Sequence, residues 1–299
     1  MSVTCRACGS THNVEAFPFE TSWNEKSFTY RRCTSCGTTC VHPVPTADEL
    51  TSIYAWSNYH AHHWEAAASL DRYGESLAYL RRQRPSSRTM LDFGCGDGSF
   101  LAAARIAGYD VHGIEYEASA IERARARAGA PVTDLATVKA NGLRFDVVHM
   151  NDVLPHLVEP DQVMRELASL VAPGGALFVE GPLENNASVV MWAASLGKHL
   201  RRRAGVDTPA THPPTMLMRF TAEGQRRFFR ERLGYRELDF EMFESGWPYF
   251  VAGRSLESPT DFMKQAIGRL AVLIGNAQPR SWRVLGNRFR AILDVGEQG

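Results

Sequence analysis

The chain has 299 residues, 44% of them hydrophobic and 22% charged, enough to bury a large core and more than one average domain needs. Its 33 basic and 33 acidic side chains cancel, which argues against partners held by a global field, namely nucleic acid and an anionic membrane surface. No apolar run approaches the roughly 20 residues that span a bilayer, no repeat or low-complexity stretch interrupts the chain, and the polar start Met1-Ser2-Val3-Thr4-Cys5 has no secretory leader, so the sequence predicts a cytoplasmic protein.

Five of the six cysteines lie in the first 45 residues. Cys5-x2-Cys8-Gly9 and Cys33-x2-Cys36-Gly37 form two knuckles 24 residues apart, a spacing that suits four thiolates around one tetrahedral Zn2+. A redox dithiol pair or disulfides are the alternatives, and a cytoplasmic setting disfavours the latter. Four cysteines leave no open coordination position, so zinc here is read as structural. So short a module, with Phe17, Phe19, Trp23, Phe28 and Tyr30 between the knuckles, needs the metal for much of its folding energy. Cys40 and His42 are read as bystanders.

Thr46-Ala47-Asp48-Glu49 is a capping box that opens a short helix through Tyr54. A longer helix is predicted from about Trp64 to Arg84, stopped by Pro85. Between them His60, His62 and His63 are read as solvated or packing groups rather than metal ligands.

Residues 90–98, Met-Leu-Asp-Phe-Gly-Cys-Gly-Asp-Gly, run an apolar strand into three alternate glycines and then into the helix that starts at Ser99. That layout lets backbone approach a nucleotide-like ligand. Ser99 stands where a dinucleotide fingerprint needs its third glycine, so a pyrophosphate cradle is disfavoured. The helix ends at Gly108, and Tyr109 to Glu115 reads as a second strand closing on an acid, 17 residues after Gly98, whose carboxylate suits the two hydroxyls of a ribose. A helix over Ala118–Ala128 ends at Gly129, with the charges of Arg123, Arg125 and Arg127 read as a solvated face. Short strand three falls near Pro131-Val132-Thr133, strand four over Phe145–Met150, and strand five follows the turn at Pro173-Gly174-Gly175 and reaches Glu180. Ser188–Leu200 reads as an amphipathic helix ending in cations, 235–243 and 249–252 as closing hairpin strands, and the tail after Ser258 as an amphipathic basic helix that packs on the body or on a second subunit.

The glycine loop with Asp92, the acid Glu115, the Phe145-Asp146-Val147-Val148 strand and the Leu-x-x-Pro-Gly-Gly-x-Leu turn at 170–177 together resemble the class I S-adenosylmethionine (SAM) dependent methyltransferases over about residues 89–253. The resemblance implies an α/β, Rossmann-like doubly wound seven-stranded sheet, here preceded by a small N-terminal zinc ribbon. It places Asp92, Gly94, Gly96, Gly98 and Glu115 at SAM, Asp134 near the adenine, Asn151 within hydrogen-bonding reach of the cofactor, and Tyr54 and Tyr59 over its methionine end. Asn151, Asp152 and Glu180 form an alternative magnesium set. His156 matches a family histidine after strand four, with Pro155 where relatives carry an acid, and suits a general base for an alcohol acceptor; the alternative is that it packs on the following helix. The family's Asn/Asp-Pro-Pro-aromatic tetrapeptide for exocyclic base amines is absent here.

The implied organisation is a zinc ribbon at 1–45, a helical segment over the cofactor at 46–88, a methyltransferase domain at 89–255 with an acceptor lid around 186–220, and a helical tail at 256–299. In the lid, His212-Pro213-Pro214 resembles a family segment in which Thr215 and Met216 replace two histidines, leaving His212 as a second polar contact. The ribbon resembles a module that precedes methyltransferase domains in bacterial sugar and natural-product tailoring enzymes. The expected partner is a small-molecule acceptor methylated on oxygen, with a homodimer as a further expectation. Carbon or nitrogen methylation, an RNA substrate gripped by the ribbon, and a catalytically silent scaffold are the other readings.

Overall fold

A computed structural model describes residues 4–54, 73–206, 213–247, 249–250, 258–280 and 283–296. In chain order its elements are β1 (Asn13–Trp23), β2 (Lys26–Cys33), β3 (Thr39–His42), α1 (Ala47–Tyr54), α2 (Gly74–Gln83), β4 (Thr89–Phe93), α3 (Ser99–Ile106), β5 (Asp110–Ile114), α4 (Ala118–Ala128), β6 (Val132–Thr133), α5 (Leu135–Ala140), β7 (Phe145–Asn151), α6 (Pro160–Ala168), β8 (Val171–Pro182), α7 (Val189–Arg203), β9 (Met218–Arg219), α8 (Ala222–Arg227), β10 (Arg236–Phe243), α9 (Pro259–Ala277) and β11 (Arg288–Asp294). They fall into two compact units, one of Met1–Thr46, Gly181–Phe228 and Glu241–Phe289, the other of Ala47–Glu180, Phe229–Phe240 and Arg290–Gly299.

The second unit is built on a doubly wound sheet in the order β10-β11-β8-β7-β4-β5-β6. β4, β5, β6, β7 and β8 run parallel, and both faces of such strands are covered, which is why Met90, Leu91 and Phe93, or Val147, Val148 and Met150, read as unbroken buried runs rather than as alternation. α3 lies close because its first turns carry Ala102, Ala103 and Ala104, all buried. β4 has β5 on one side and β7 on the other, so the strand order reverses beside it; ligands bind outside the carboxyl ends of strands at such a switch point.

One sequence expectation changes here. Of the strand expected over 249–252, Tyr249 and Phe250 belong to a turn whose amides bond to the Gly246 carbonyl, residues 251 and 252 lie outside the described residues, and the strand beside β10 is β11. Its apolar run Ala291-Ile292-Leu293 is fully buried, and the flanking arginines that suggested a basic helix sit at strand positions. The arginines of α4 lie on a solvated face as expected, and each also holds a partner there. Arg123 pairs with Glu117 at 3.3 Å, Arg125 donates to the Val132 carbonyl, and Arg127 reaches the glycine loop.

The first unit carries a four-stranded sheet, β1-β2-β3-β9, antiparallel at every step. Trp23 pairs with Lys26 across the two-residue turn Asn24-Glu25, both at positive φ (47° and 62°), the twist that matches flanking strands. β3 thus extends the cysteine ribbon into the 181–228 segment through β9, a partner no local pattern in a two-residue strand reveals.

Candidate functional site

The carboxyl end of β4 opens into Gly94, Gly96 and Gly98, at φ 72°, 56° and 77°. Two of these positions admit no side chain: a Cβ on Gly94 would lie 2.6 Å from a methyl of Val153, and one on Gly98 would lie 2.7 Å from the Ala124 carbonyl oxygen. The loop is held from outside by Arg127, whose Nη1 donates to Asp97 Oδ2 at 2.6 Å and Ser99 Oγ at 2.5 Å. At the end of β5, Glu115 Oε2 accepts from the Gly96 amide at 2.9 Å and Oε1 from the Tyr116 amide at 2.7 Å. An acceptor-only carboxylate thus stands against the glycine loop, beside the exposed ring of Tyr116. The remaining lone pairs of that carboxylate suit the two hydroxyls of a ribose, and the glycines bring backbone rather than side chains up to it. The residues fit a nucleoside cofactor.

Behind the loop lies a group that periodicity did not reveal. His149, in the middle of β7, is fully buried; its Nδ1 meets Asp92 Oδ1 at 2.7 Å and its Nε2 meets Glu180 Oε2 at 3.2 Å. Neutral imidazole has one N–H, so contact with two carboxylates requires the imidazolium or a shared proton. Burial opposes the charge, but Asp92 and Glu180 outweigh it and push the His149 pKa up to about 9. The Phe100 ring stacks on the imidazole, 4.0 Å between centroids and 22° from parallel, a cation–π arrangement. Glu180 Oε1 accepts from Ser76 Oγ at 2.7 Å, with Arg290 Nε 3.8 Å away. The network ties α2, β4, β7, β8 and β11 together directly under the glycines. The one available signal was a histidine inside an otherwise apolar parallel strand.

This accounts for Asp92 and Glu180 differently from the sequence. Asp92 is 3% exposed and turned to His149, so it supports the loop from behind. Both oxygens of Glu180 are engaged, Oε1 by Ser76 and Oε2 by His149. Asn151 ends β7, and Asp152 follows at φ 57° with its amide on the Glu180 carbonyl. Asp134 caps α5, its Oδ1 accepting from the Thr137 amide at 2.7 Å. His156 closes a 3-10 turn, Leu154–His156, half-buried just beyond the carboxyl end of β7. Tyr59, the histidines 60, 62 and 63, and His212 lie outside the described residues, as does the side chain of Tyr54.

In the first unit the sulfurs of Cys5, Cys8, Cys33 and Cys36 all lie within 4.8 Å of one another, with Cys5–Cys36 and Cys8–Cys33 at 3.7 Å. Four thiolates at roughly 2.3 Å from one tetrahedral ion are about 3.8 Å apart, so the set fits zinc. The knuckles repeat each other: the amides of Gly9 and Gly37, both left-handed, bond back to the carbonyls of Cys5 and Cys33. Without a cation the crowding is unfavourable for thiolates. The Cys5 thiol and burial push Cys36 up, and burial with the neighbouring thiols pushes Cys8 up to about 11. The second knuckle is braced by Thr221 Oγ1 on the Cys36 carbonyl, Asn185 Nδ2 on Gly37 O and Arg227 Nη1 on Ser35 O.

Alternate left-handed glycines at the switch point of a doubly wound sheet, with an acid at the end of the adjacent strand, define a nucleoside-cofactor domain of the Rossmann-like class. The chain belongs to the methyltransferase-domain family, whose profile matches residues 61–257, and its seven-stranded domain is of the SAM-dependent class. It is similar to a ubiquinone biosynthesis O-methyltransferase of Bordetella avium, 36% identical over 101 residues, 30% of this chain and 41% of that protein. An uncharacterized methyltransferase of Mycobacterium tuberculosis is 30% identical over 168 residues, 52% of this chain and 82% of that protein. The chain thus spans about two-fifths of the length of the ubiquinone relatives it matches. Among solved structures, the plantazolicin methyltransferase BamL, in complex with a triazolic desmethylPZN analog and SAH, shares the fold, with a TM-score of 0.50 and 15% identity over 82% of this chain and 93% of that chain.

Proposed function

We propose that the protein transfers a methyl group from SAM to a hydroxyl of a small molecule, a sugar or natural-product intermediate, with His156 as general base. The observation that carries this reading is the glycine loop facing the Glu115 carboxylate at the switch point. Bound SAM supplies an electrophilic methyl on a sulfonium that is already a good leaving group. The chain's task is therefore placement: Gly94, Gly96 and Gly98 give the backbone closeness, Glu115 accepts from the ribose hydroxyls, and Asn151, Tyr54 and Tyr59 complete the cofactor contacts. His156 takes the acceptor's hydroxyl proton as the carbon–oxygen bond forms. Curated relatives that methylate oxygen in ubiquinone biosynthesis support the hydroxyl. In this reading the segment around 186–220 is the acceptor lid, following 46–88 over the cofactor, and no described helix is long and apolar enough to cross a membrane.

The test is transfer from methyl-labelled SAM into a low-mass metabolite pool and, in parallel, into total RNA. Label in the small molecules supports the reading; label in RNA overturns it. His156→Ala should leave SAM affinity intact and cut transfer roughly 100-fold; near-normal turnover removes His156 from the mechanism.

We also assign a structural Zn2+ to Cys5, Cys8, Cys33 and Cys36. One equivalent of zinc per chain is expected by elemental analysis. Cys33→Ser should lose the metal and, through the braces from Asn185, Thr221 and Arg227, lower the melting temperature by about 10 °C. A metal-free protein with unchanged melting would sink the assignment.

A further inference from the structure

α9 (Pro259–Ala277) is built inside out. Ser258 caps it, its Oγ accepting from the Asp261 amide at 3.1 Å, and the buried positions are Gln265, Gly268, Ala271 and Gly275. The two glycines are there because the helix lies directly on the 244–250 segment: a Cβ at Gly268 would stand 2.5 Å from Phe250 Cβ, and one at Gly275 2.5 Å from Glu244 Cβ. With the small residues inward, the large ones face out. Phe262, Met263, Leu270, Leu273 and Ile274 are 64%, 55%, 53%, 69% and 43% exposed.

The outward face is ordered. Met263, Ala266, Leu270, Leu273 and Ala277 recur at intervals of three and four, the a and d spacing of a coiled-coil seam. The helix carries only three charges, and none lies on that seam: Asp261 is in the first turn, Lys264 follows Met263, and Arg269 flanks Leu270. α7, which packs on α9 in the same unit, contributes a second exposed apolar row, Trp192, Leu196 and Leu200, at helical spacing. The α9 side chains alone leave on the order of 500 Å² of apolar surface in water, the size of the largest patches on ordinary monomers. That is more than half of the roughly 800 Å² that each partner gives to a standard interface.

We propose that this face is covered by a second copy of the chain, the two α9 helices crossing antiparallel about a two-fold axis near Leu270. A two-fold interface must be self-complementary. Antiparallel pairing about that point sets the small Ala266 and Ala277 of one helix among the large Met263, Leu270 and Leu273 of the other, so ridges meet gaps. The same register carries the acid at the start of the helix, Asp261, towards Arg280 just past the end of its partner, a guanidinium that also pairs with its own Glu241 at 3.3 Å.

Sedimentation equilibrium of the full zinc-loaded chain tests this directly. At micromolar concentration the expected mass is twice 33.3 kDa, and Leu270→Glu with Leu273→Glu should give monomers. Because charged substitutions can disturb folding, Leu270→Ala with Leu273→Ala is the second variant. It should keep the wild-type circular dichroism spectrum and raise the dimer dissociation constant at least about 100-fold. A wild-type monomer across this range overturns the proposal, as does a dimer indifferent to both variants. A monomer that sediments with phosphatidylglycerol vesicles through these same side chains also overturns it, giving the face to a lipid surface.

Discussion

His149→Ala is expected to remove about 3–5 kcal/mol of stability, because it leaves Asp92 and Glu180 buried as two carboxylates without the cation between them. In a domain of this size that corresponds to about 10 °C in melting temperature. The loss is larger than the cavity alone would give, since Phe100 and Phe178 lose only a ring contact, whereas the two acids lose the charge that makes their burial tolerable. A melting temperature within about 2 °C of wild type would mean that the network holds nothing together.

The same group gives a pH dependence with a definite sign. Its folded-state pKa, about 9, lies above the ordinary histidine value near 6.5, so the folded protein binds the extra proton more tightly. The stabilisation is complete below about pH 6.5 and is lost as pH rises through about 9, a span worth about 3 kcal/mol. His149→Gln can still donate to one carboxylate but cannot carry the charge. Thermal melts at pH 6, 7.5 and 9 should therefore fall with pH in wild type and flatten in that variant; parallel slopes would assign the titration to another group.

The parts of this molecule readable from sequence are those governed by local rules. Three glycines forced into the left-handed region, a strand ending in Glu115, and knuckles of Cys-x2-Cys-Gly each announce themselves within ten residues, because the conformation or the ligand chemistry admits few other residues. What stayed hidden depends on partners distant in the chain. His149 is an ordinary strand residue until Asp92, 57 positions earlier, and Glu180, 31 later, arrive beside it. The helix beginning at Ser188 was legible; the antiparallel partner of β3 was not, since β9 is two residues long and 176 or more positions away. The placing of β11 failed for a related reason. Arg288-Phe289-Arg290 mixes cations with apolar residues, which looks helical and basic until the buried run 291–293 and the approach of Arg290 Nη2 to the Glu75 carboxylate at 3.4 Å give the strand its place.

Glu115→Ala separates the cofactor site from everything that merely supports it. The Glu115 carboxylate is half-buried and its two bonds are to loop amides, Gly96 and Tyr116, which water can satisfy once the side chain is gone. Folding stability should therefore change by no more than about 1 kcal/mol. Binding should change far more. A carboxylate accepting from two hydroxyls makes two charge-assisted hydrogen bonds, each about 1.5–3 kcal/mol, so SAM affinity measured by calorimetry should fall at least about 100-fold. Glu115→Gln keeps an acceptor but loses the charge and should fall between, near 10-fold. Asp134→Ala makes the contrast: it removes the cap on α5, so it should cost about 1 kcal/mol of stability and, if Asp134 touches adenine as well, weaken SAM in addition. Unchanged SAM affinity in Glu115→Ala would place the cofactor elsewhere and leave the left-handed glycines as a structural turn. A loss in that variant without a change in melting temperature ties the acid at the end of β5 to the cofactor itself.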